Sequence, residues 1–275
     1  AQYNNRAQVT EAELAVIKDD QNARSADYRA NAAHKHLDLA YGPHDREKLD
    51  IFLPAGDGAP IFAFIHGGYW RALDKADFSY VCEPLVDAGA IVASVNYGLC
   101  PSVSVEAIVQ QTREATAWLY RNAAELGGDP DKLHLSGHSA GAHLAVMMMA
   151  TDWKAFGSDL PADPIKSVTA ISGVYDLDPI PHLSTNADIR LDAASARSLS
   201  PMFMTPIVDV PLSVIAGLSE LDEFVRQSKD FAADWTGKLS SVEYIELPGL
   251  NHFTIVDTMD RADDPVTARM IAHMS

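Results

Sequence analysis

Short, almost wholly apolar runs alternate along this chain with longer segments whose apolar residues recur at helical spacing. The apolar runs predict strands that are buried on both faces of a sheet. They are IFAFIHGG (61–68), AIVASVNYGL (90–99), KLHLSG (132–137), SVTAISGVYDL (167–177), PLSVIAGLSE (211–220) and SVEYIELPG (241–249). The segments 105–127 and 223–239 have helical spacing and predict amphipathic helices. Strands that alternate with helices in this way predict the α/β class, with a mostly parallel sheet covered on both faces.

The remaining segments extend this pattern towards both ends of the chain. Thr10 and Glu13 have the spacing of a capping box and predict a helix over 10–31. Further helices are predicted over 75–88, 141–150 and 264–275, and two short strands over 34–42 and 46–54. Residues 177–208 contain prolines without a clear period. This segment is interpreted as a cap-like insertion in a single domain of residues 1–275.

The composition narrows the class of protein. With 275 residues, 47% of them hydrophobic, the chain can bury a full core. Its net charge of −17 disfavours nucleic acid and anionic membranes as partners, because an acidic surface repels phosphate groups. The chain has two cysteines, no apolar signal core near the N-terminus and no apolar run of about 18 residues. These features predict a soluble, cytoplasmic protein. The expected partner is a small-molecule substrate, and a homodimer remains open.

A serine lies between two glycines in GHSAG (137–141), directly after one predicted strand and directly before a predicted helix. In this position Ser139 is a candidate nucleophile on a sharp strand-to-helix turn. The alternative is that Ser139 only caps the helix. A serine hydroxyl is a weak nucleophile at neutral pH, so the first hypothesis requires a base and an acid elsewhere in the chain. Because ligand sites in such sheets lie beyond the carboxyl ends of the strands, these partners should follow other strands.

Candidates for the base and the acid follow the last two predicted strands. His252 comes just after the last one, which gives the chain order serine, acid, histidine. At the end of the strand before it, GLSELDEF (217–224) offers three acids, Glu220, Asp222 and Glu223. A carboxylate that orients His252 must emerge close to the strand end, so we favour Glu220 and keep Asp222 as the alternative acid. Glu223 is interpreted as a residue of the first helical turn.

The sequence HGGYW (66–70) ends the first buried strand of the alternating series. Glycines in this position let backbone N–H groups approach the oxygen of a tetrahedral intermediate and stabilise its negative charge. The expected donors of this oxyanion hole are Gly68, Tyr69 and Ala140. Tyr69 and Trp70 are also candidate walls of a substrate pocket, with ordinary packing as the alternative. His66 is interpreted as a structural hydrogen-bonding residue, and His138 as a packing or orienting residue.

Together these residues resemble the α/β-hydrolase superfamily, and within it the kynurenine formamidase (arylformamidase) branch, close to the hormone-sensitive-lipase-like esterases. The resemblance rests on YNNRA, YGPHDREKLDIFLP, HGGYWRALDK, GHSAGAHLAVMM, EFVRQS and GLNHF, which span nearly the whole chain. It implies the α/β-hydrolase fold and removal of a formyl group from an aromatic amide, with N-formylkynurenine as the typical substrate. It also implies Ser139 as nucleophile, Glu220 as acid and His252 as base.

Two positions depart from the pattern of this branch. Tyr69 stands where many related esterases have a third glycine, and Glu220 stands where the animal formamidases usually have aspartate, which keeps Asp222 as a candidate. The sequence lacks the clustered histidines of metal-dependent formamidases, an HExxH motif and phosphate-binding glycine patterns. We therefore expect no metal and no cofactor. The alternative functions are a short-chain carboxylesterase and a non-catalytic binding protein on a hydrolase fold.

Overall fold

The computed structural model describes residues 2–56 and 58–274, so the two end residues of the predicted domain 1–275 lie outside it. In these described ranges, eight strands form one sheet; they are β1 (Lys35–Ala40), β2 (Lys48–Phe52), β3 (Ala59–Ile65), β4 (Ile91–Val95), β5 (Gly128–His138), β6 (Ser167–Ile171), β7 (Leu212–Gly217) and β8 (Val242–Leu247). Their order across the sheet is β1-β2-β4-β3-β5-β6-β7-β8. β2 pairs antiparallel with β1 and β4, and the other neighbouring strands pair in parallel. The predicted α/β class with a mostly parallel sheet is confirmed.

Nine α-helices accompany the sheet within the described residues. They are α1 (Glu11–Asn31), α2 (Glu83–Asp87), α3 (Val105–Asn122), α4 (Ala140–Met149), α5 (Trp153–Phe156), α6 (Asn186–Ile189), α7 (Ala193–Ser198), α8 (Asp222–Thr236) and α9 (Pro265–Ala272). The last of these lies inside the predicted helix 264–275, whose final residue is outside the described range. None of the helices seen in residues 2–56 and 58–274 combines the length and the apolar character needed to cross a bilayer.

Hydrophobic cores lie on both faces of the sheet, because side chains of each strand alternate between the faces. Ile61, Ala63 and Ile65 of β3 belong to a core that includes residues of α3, α4 and α8. Phe62 and Phe64 of the same strand belong to a second core with residues of α1, α2 and α9. Burial on both faces explains why the central strands read as continuous apolar runs rather than as alternating patterns.

The segment predicted as a helix over 75–88 is not one α-helix. Residues Lys75–Cys82 form a 3₁₀ helix, in which Phe78 has a non-helical φ of −120° and ψ of 18°. The α-helical turn α2 starts only at Glu83. Pro84 has no N–H group to donate to the carbonyl of Tyr80, so a continuous α-helix could not have its normal hydrogen bonds here.

The N-terminal helix α1 begins at the predicted capping box, since the Thr10 hydroxyl accepts from the N–H of Glu13. A buried ion cluster fastens it to the sheet. Arg29 of α1 pairs with Asp50 of β2, and Lys75 Nζ lies 2.9 Å from the same carboxylate. Asp50 is fully buried, and a buried carboxylate is stable only when it is paired and hydrogen-bonded, as it is here.

Residues 177–208 form short helical turns rather than one regular element. They comprise a 3₁₀ turn at Ile180–His182, the helices α6 and α7, and a second 3₁₀ turn at Pro201–Phe203. Prolines at the starts of both 3₁₀ turns limit their backbone geometry. The first part of this segment contributes to the wall of the cavity described below.

Candidate active site

Ser139 lies on a sharp turn between β5 and α4, at the carboxyl edge of the sheet. Its backbone has φ 56° and ψ −120°, a conformation that non-glycine residues rarely adopt. The Ser139 N–H donates to the carbonyl of Ile171 at the end of β6, at 2.8 Å. A strained backbone persists only where its surroundings hold it. This geometry presents the hydroxyl at the start of α4, where the helix dipole favours negative charge.

The two glycines of GHSAG are required by close packing of the turn. A Cβ atom on Gly141 would lie 1.9 Å from the carbonyl oxygen of Ile65 in β3. A Cβ atom on Gly137 would lie 2.3 Å from the carbonyl oxygen of Gly141. Both distances are far below van der Waals contact, so only glycine lets strand, turn and helix come this close.

The structure brings Ser139, His252 and Glu220 together in one hydrogen-bonded row. Nε2 of His252 lies 2.9 Å from Oγ of Ser139, and Nδ1 lies 2.7 Å from Oε2 of Glu220. All three residues are at most 6% exposed. The alternative acid Asp222 is exposed on the first turn of α8. Of the two acids that the sequence left open, Glu220 is therefore the one that contacts His252.

The second carboxylate oxygen of Glu220 is held by two further donors. The hydroxyl of Ser172 donates to Oε1 at 2.5 Å, and the N–H of Gly217 donates to it at 2.8 Å. Ser172 follows β6 with a positive φ of 52° and is fully buried. Sequence reasoning missed this residue. The sequence feature at this position is a serine-glycine pair at the end of a buried strand. Many sheets contain such a pair without any function, so it did not point to a role.

The loop after β3 approaches the turn of Ser139. A Cβ atom on Gly67 would lie 3.0 Å from the Cβ of Ser139. Gly68, Tyr69 and Trp70 have positive φ values of 104°, 52° and 56°. Within the described part of the chain, the backbone N–H groups of Gly68 and Tyr69 have no hydrogen-bond acceptor. The N–H of Ala140 lies in the first turn of α4, where no intrahelical acceptor exists. These are the three groups that the sequence suggested as oxyanion donors.

Trp70 does not line the cavity, in contrast to the sequence-based interpretation of this residue as a pocket wall. Its side chain is fully buried, and Nε1 donates to Nδ1 of His143 at 3.2 Å. Nε2 of His143 then donates to the carbonyl of Leu199 at 2.8 Å. Burial lowers the pKa of His143 to about 4, so the ring is neutral and can accept one bond and donate the other. Trp70 thus fastens the loop to α4.

A cavity of about 660 Å³ opens above Ser139 and His252. Its apolar wall includes Tyr69, Phe78 and Phe253, and Leu183 from the 177–208 segment. The hydroxyl of Tyr69 donates to the carbonyl of Tyr3 at 2.7 Å, so Tyr69 lines the cavity as the sequence suggested. Such a mixed, concave site is typical of small-molecule binding.

The N-terminal residues Tyr3–Arg6 form another part of the cavity wall. Tyr3 is held there by its hydroxyl, which donates to Oε1 of Glu223 at 2.6 Å and accepts from Gln227 at 2.8 Å. The sequence pointed to YNNRA only as part of a resemblance and gave no role to it. A contact with residues more than two hundred positions away leaves no local signal.

Two other histidines lie behind the site. The ring of His138 lies 4.7 Å from that of His252, and burial holds the pKa of His138 well below its usual range. His66 is fully buried, and its ring hydrogen-bonds to Gly67 and to Asn96. Both residues occupy packing positions rather than the position of the base. Across residues 2–56 and 58–274, no three His, Cys, Asp or Glu side chains are grouped to hold a metal ion.

Comparison with known proteins places this geometry in a family. The BD-FAE family matches residues 49–231. The kynurenine formamidase of Salmo salar is 30% identical over 86% of this chain and 81% of its own length. Esterase LipQ of Mycobacterium tuberculosis is 30% identical over 86% of this chain and 59% of its own length.

A solved structure is similar over nearly the whole chain. A protein from Silicibacter sp. TM1040, described provisionally as a thioesterase, superposes with a TM-score of 0.86 at 30% identity, over 99% of this chain and 97% of its own. The predicted resemblance to α/β-hydrolases of the formamidase and esterase type is confirmed. The chain belongs to the BD-FAE family of α/β-hydrolases and is a hydrolase of the formamidase or esterase type.

Proposed function

We propose that this hydrolase is a metal-independent serine enzyme that removes the formyl group from N-formylkynurenine and so releases kynurenine and formate. The observation that carries the proposal is the hydrogen-bonded row of Ser139, His252 and Glu220 beneath the cavity. The formyl substrate is supported by the similarity to kynurenine formamidases over most of the chain.

In the first half of the reaction, Ser139 attacks the formyl carbon. Oγ of Ser139 gives its proton to Nε2 of His252, 2.9 Å away, as it forms the bond to carbon. The imidazolium that results is stabilised by Glu220, whose Oε2 lies 2.7 Å from Nδ1. Because Glu220 is buried and held by Ser172 and Gly217, it fixes the orientation of His252 before the substrate arrives.

The negative charge of the tetrahedral intermediate requires donors that are already in place. Among the described residues, no acceptor occupies the N–H groups of Gly68, Tyr69 and Ala140, which flank the turn of Ser139. One such donor contributes roughly 3–4 kcal/mol to transition-state stabilisation. Glycine is required at position 68, because its φ is positive and a Cβ atom there would lie 2.2 Å from the carbonyl oxygen of Ala72.

In the second half, the C–N bond breaks and the enzyme is regenerated. His252 returns its proton to the leaving aromatic amine, which leaves a formyl ester on Ser139. Water then attacks this ester with His252 as base, and formate is released as Ser139 recovers its proton. The aromatic side chains Tyr69, Phe78 and Phe253 of the cavity wall suit the aryl part of the substrate.

A short-chain carboxylesterase is the second candidate. It is favoured by the similarity to esterase LipQ, which covers as much of this chain as the similarity to the formamidase. Ester and amide hydrolysis share the tetrahedral intermediate, so the same three residues serve both reactions. The two candidates differ in which leaving group is accepted.

The decisive experiment compares two substrates with the purified protein. We expect efficient hydrolysis of N-formylkynurenine, slower turnover of 4-nitrophenyl acetate, and no loss of either activity with EDTA. Ser139→Ala should lower kcat by roughly 10⁴-fold or more with an unchanged circular dichroism spectrum. Turnover of the acetate alone would move the protein to the esterases. Full activity of Ser139→Ala would refute the serine mechanism. Failure of a serine-reactive phosphonate to label the chain would favour a non-catalytic binding protein.

A further inference from the structure

Tyr69 needs support from its surroundings to keep its backbone conformation. Its φ of 52° lies in the left-handed region, which a non-glycine residue adopts only where neighbouring groups hold it. The N–H of Tyr69 is one of the three expected donors to the oxyanion. A donor of this kind stabilises the transition state only if it is in place before the reaction begins. The residues that hold Tyr69 therefore bear on catalysis.

The side chain of Tyr69 contacts two different parts of the molecule. Its ring meets that of Trp70 edge-on, with centroids 5.9 Å apart, and Trp70 is fastened to α4 through His143. Its hydroxyl donates to the carbonyl of Tyr3 at 2.7 Å. Tyr3 precedes α1 and lies outside the sheet. Tyr69 is thus supported on one side by the packed interior and on the other side by the N-terminal segment.

Tyr3 is itself fixed to α8 by its hydroxyl. This group donates to Oε1 of Glu223 at 2.6 Å and accepts from Nε2 of Gln227 at 2.8 Å. The guanidinium of Arg226, 2.7 Å from the same carboxylate, lowers the pKa of Glu223 to about 2, so Tyr3 donates to a charged acceptor. Hydrogen bonds to ionised acceptors are stronger than those between neutral groups. Tyr3 therefore connects the loop after β3 firmly with α8.

The same helix also supports the catalytic base. Phe224 of α8 meets the ring of His252 edge-on, with centroids 4.8 Å apart, and the ring of Tyr3 lies 6.3 Å from that of Phe224. Further along the N-terminal segment, Nε2 of Gln8 donates to the carbonyl of Ser219 at 2.8 Å. The segment thus docks along the stretch that follows β7, and its docking links the oxyanion side of the site to the side of the base.

We propose that Tyr3 is a positioning residue of the active site, which holds Tyr69 so that the N–H of Tyr69 stabilises the oxyanion. This inference rests on the serine mechanism of the proposed function but not on the formyl substrate. Tyr3 acts through Tyr69 rather than on the reacting atoms, so loss of the contact should lower kcat and not substrate binding. Tyr3 is half-buried at the margin of the core, so removal of its hydroxyl should leave the fold intact.

The first measurement is steady-state kinetics of the wild type, Tyr3→Phe, Tyr69→Phe and the double variant. The substrates are N-formylkynurenine and 4-nitrophenyl acetate. Both substitutions keep every backbone N–H and remove one hydroxyl. We expect each to lower kcat by about 10-fold with KM unchanged, which is part of the loss expected when a donor is removed outright. Because both break one chain of contacts, the double variant should lose about 10-fold rather than about 100-fold.

A second measurement reports on the oxyanion hole without turnover. Phenylacetaldehyde has the shape of an aryl formamide with CH₂ in place of N–H, so it contains no bond that the enzyme hydrolyses. Oγ of Ser139 adds to its aldehyde carbon, the electron pair of the C=O bond moves to the oxygen, and the proton of Ser139 passes to His252. The charged oxygen of this adduct requires the same donors. Its inhibition constant should therefore rise by about 10-fold in Tyr3→Phe.

The matched control is Tyr120→Phe, which removes the same hydroxyl from a half-buried tyrosine of α3 that is not among the described residues lining the cavity. It should leave kcat, KM and the inhibition constant unchanged. Thermal unfolding midpoints show whether each variant is folded. The inference is overturned if Tyr3→Phe keeps the wild-type kcat and inhibition constant, or if it raises only KM. It is also overturned if the two single effects multiply in the double variant, or if Tyr120→Phe has the same effect.

A failure of the proposed function would look different. The wild type would then turn over the acetate alone, and Tyr3→Phe would lower kcat on that substrate by the same factor, which supports the inference. A wild type inactive on both substrates would overturn the proposed function and the inference together.

Discussion

Glu220 reaches His252 because the other oxygen of its carboxylate is fixed by two donors, Ser172 and Gly217. Glutamate is one methylene longer than aspartate, and the turn after β7 accommodates that extra length. The N–H of Glu220 itself donates to the carbonyl of Gly217 at 3.1 Å, which closes a tight turn. The result is a rigid carboxylate in contact with His252, whereas Asp222 is exposed.

Replacing each carboxylate by its amide should show whether Glu220 or Asp222 supports His252. Glu220→Gln keeps the shape but removes the charge that stabilises the imidazolium, so kcat on N-formylkynurenine should fall by roughly 10³–10⁴-fold. Asp222→Asn, on an exposed helical turn, should leave kcat unchanged. The measurement is steady-state kinetics on both variants, and the reverse ranking would reassign the acid.

Ser172 should act as a positioning residue through Glu220. Ser172→Ala removes the hydroxyl that lies 2.5 Å from Oε1, and we expect kcat to fall by about 10-fold with KM unchanged. The matched control is Ser136→Ala in β5, which is also fully buried and donates to the carbonyl of Ala63. If both variants lose stability but neither loses kcat, Ser172 has only a structural role.

At the scale of elements, the site depends on close contact between β3, the turn after β5 and α4. The contact is possible because position 141 has no side chain, since a Cβ atom there would lie 1.9 Å from the oxygen of Ile65. Trp70 and His143 then connect the loop after β3 to the same helix. Strand, loop and helix therefore form one packed unit around Ser139.

Gly141→Ala should disrupt this unit. The added methyl group meets backbone rather than a flexible side chain, so we expect a loss of roughly 3 kcal/mol or more in the free energy of unfolding. Gly237→Ala is the control, since no atom of the described residues lies within 4 Å of its Cβ position and its φ of −83° suits alanine. Urea denaturation of both variants measures the difference. Equal stability of the two would contradict the close approach.

The sequence predicted the elements with strong local signals. Continuous apolar runs marked the central strands, and Thr10 with Glu13 marked the start of α1. Candidate site residues could be named because each follows a strand of a parallel sheet. The 3₁₀ helix at 75–82 was not predicted, since its apolar spacing resembles that of an α-helix. The burial of Trp70 depends on α4 and Leu199, which no local pattern reports.

At the scale of the whole molecule, buried histidines link stability to pH. His134 and His143 are at most 4% exposed, and burial lowers the pKa of each to about 4. In the unfolded chain a histidine has a pKa of about 6.5. As the pH falls below that value, the unfolded state takes up protons that the folded state does not, so the folded state loses stability.

We therefore expect the free energy of unfolding to decrease between pH 7.5 and pH 4.5, by on the order of 2 to 3 kcal/mol for each of these histidines. Urea denaturation across this range measures the decrease. His134→Asn should make the dependence shallower, because one of the buried histidines that contribute to it no longer titrates. A pH dependence as steep as that of the wild type would show that His134 does not contribute.

The anchoring of Tyr3 at the cavity has a practical consequence for handling the protein. A fusion partner or affinity tag joined ahead of Tyr3 would emerge beside the mouth of the cavity and compete with substrate for space. His273 instead hydrogen-bonds to Ser213 near the start of β7, at the edge of the sheet opposite Ser139. Immobilisation on a solid support through the C-terminal side would leave the cavity facing the solution, so more activity should be kept on a surface in that orientation than after attachment ahead of Tyr3.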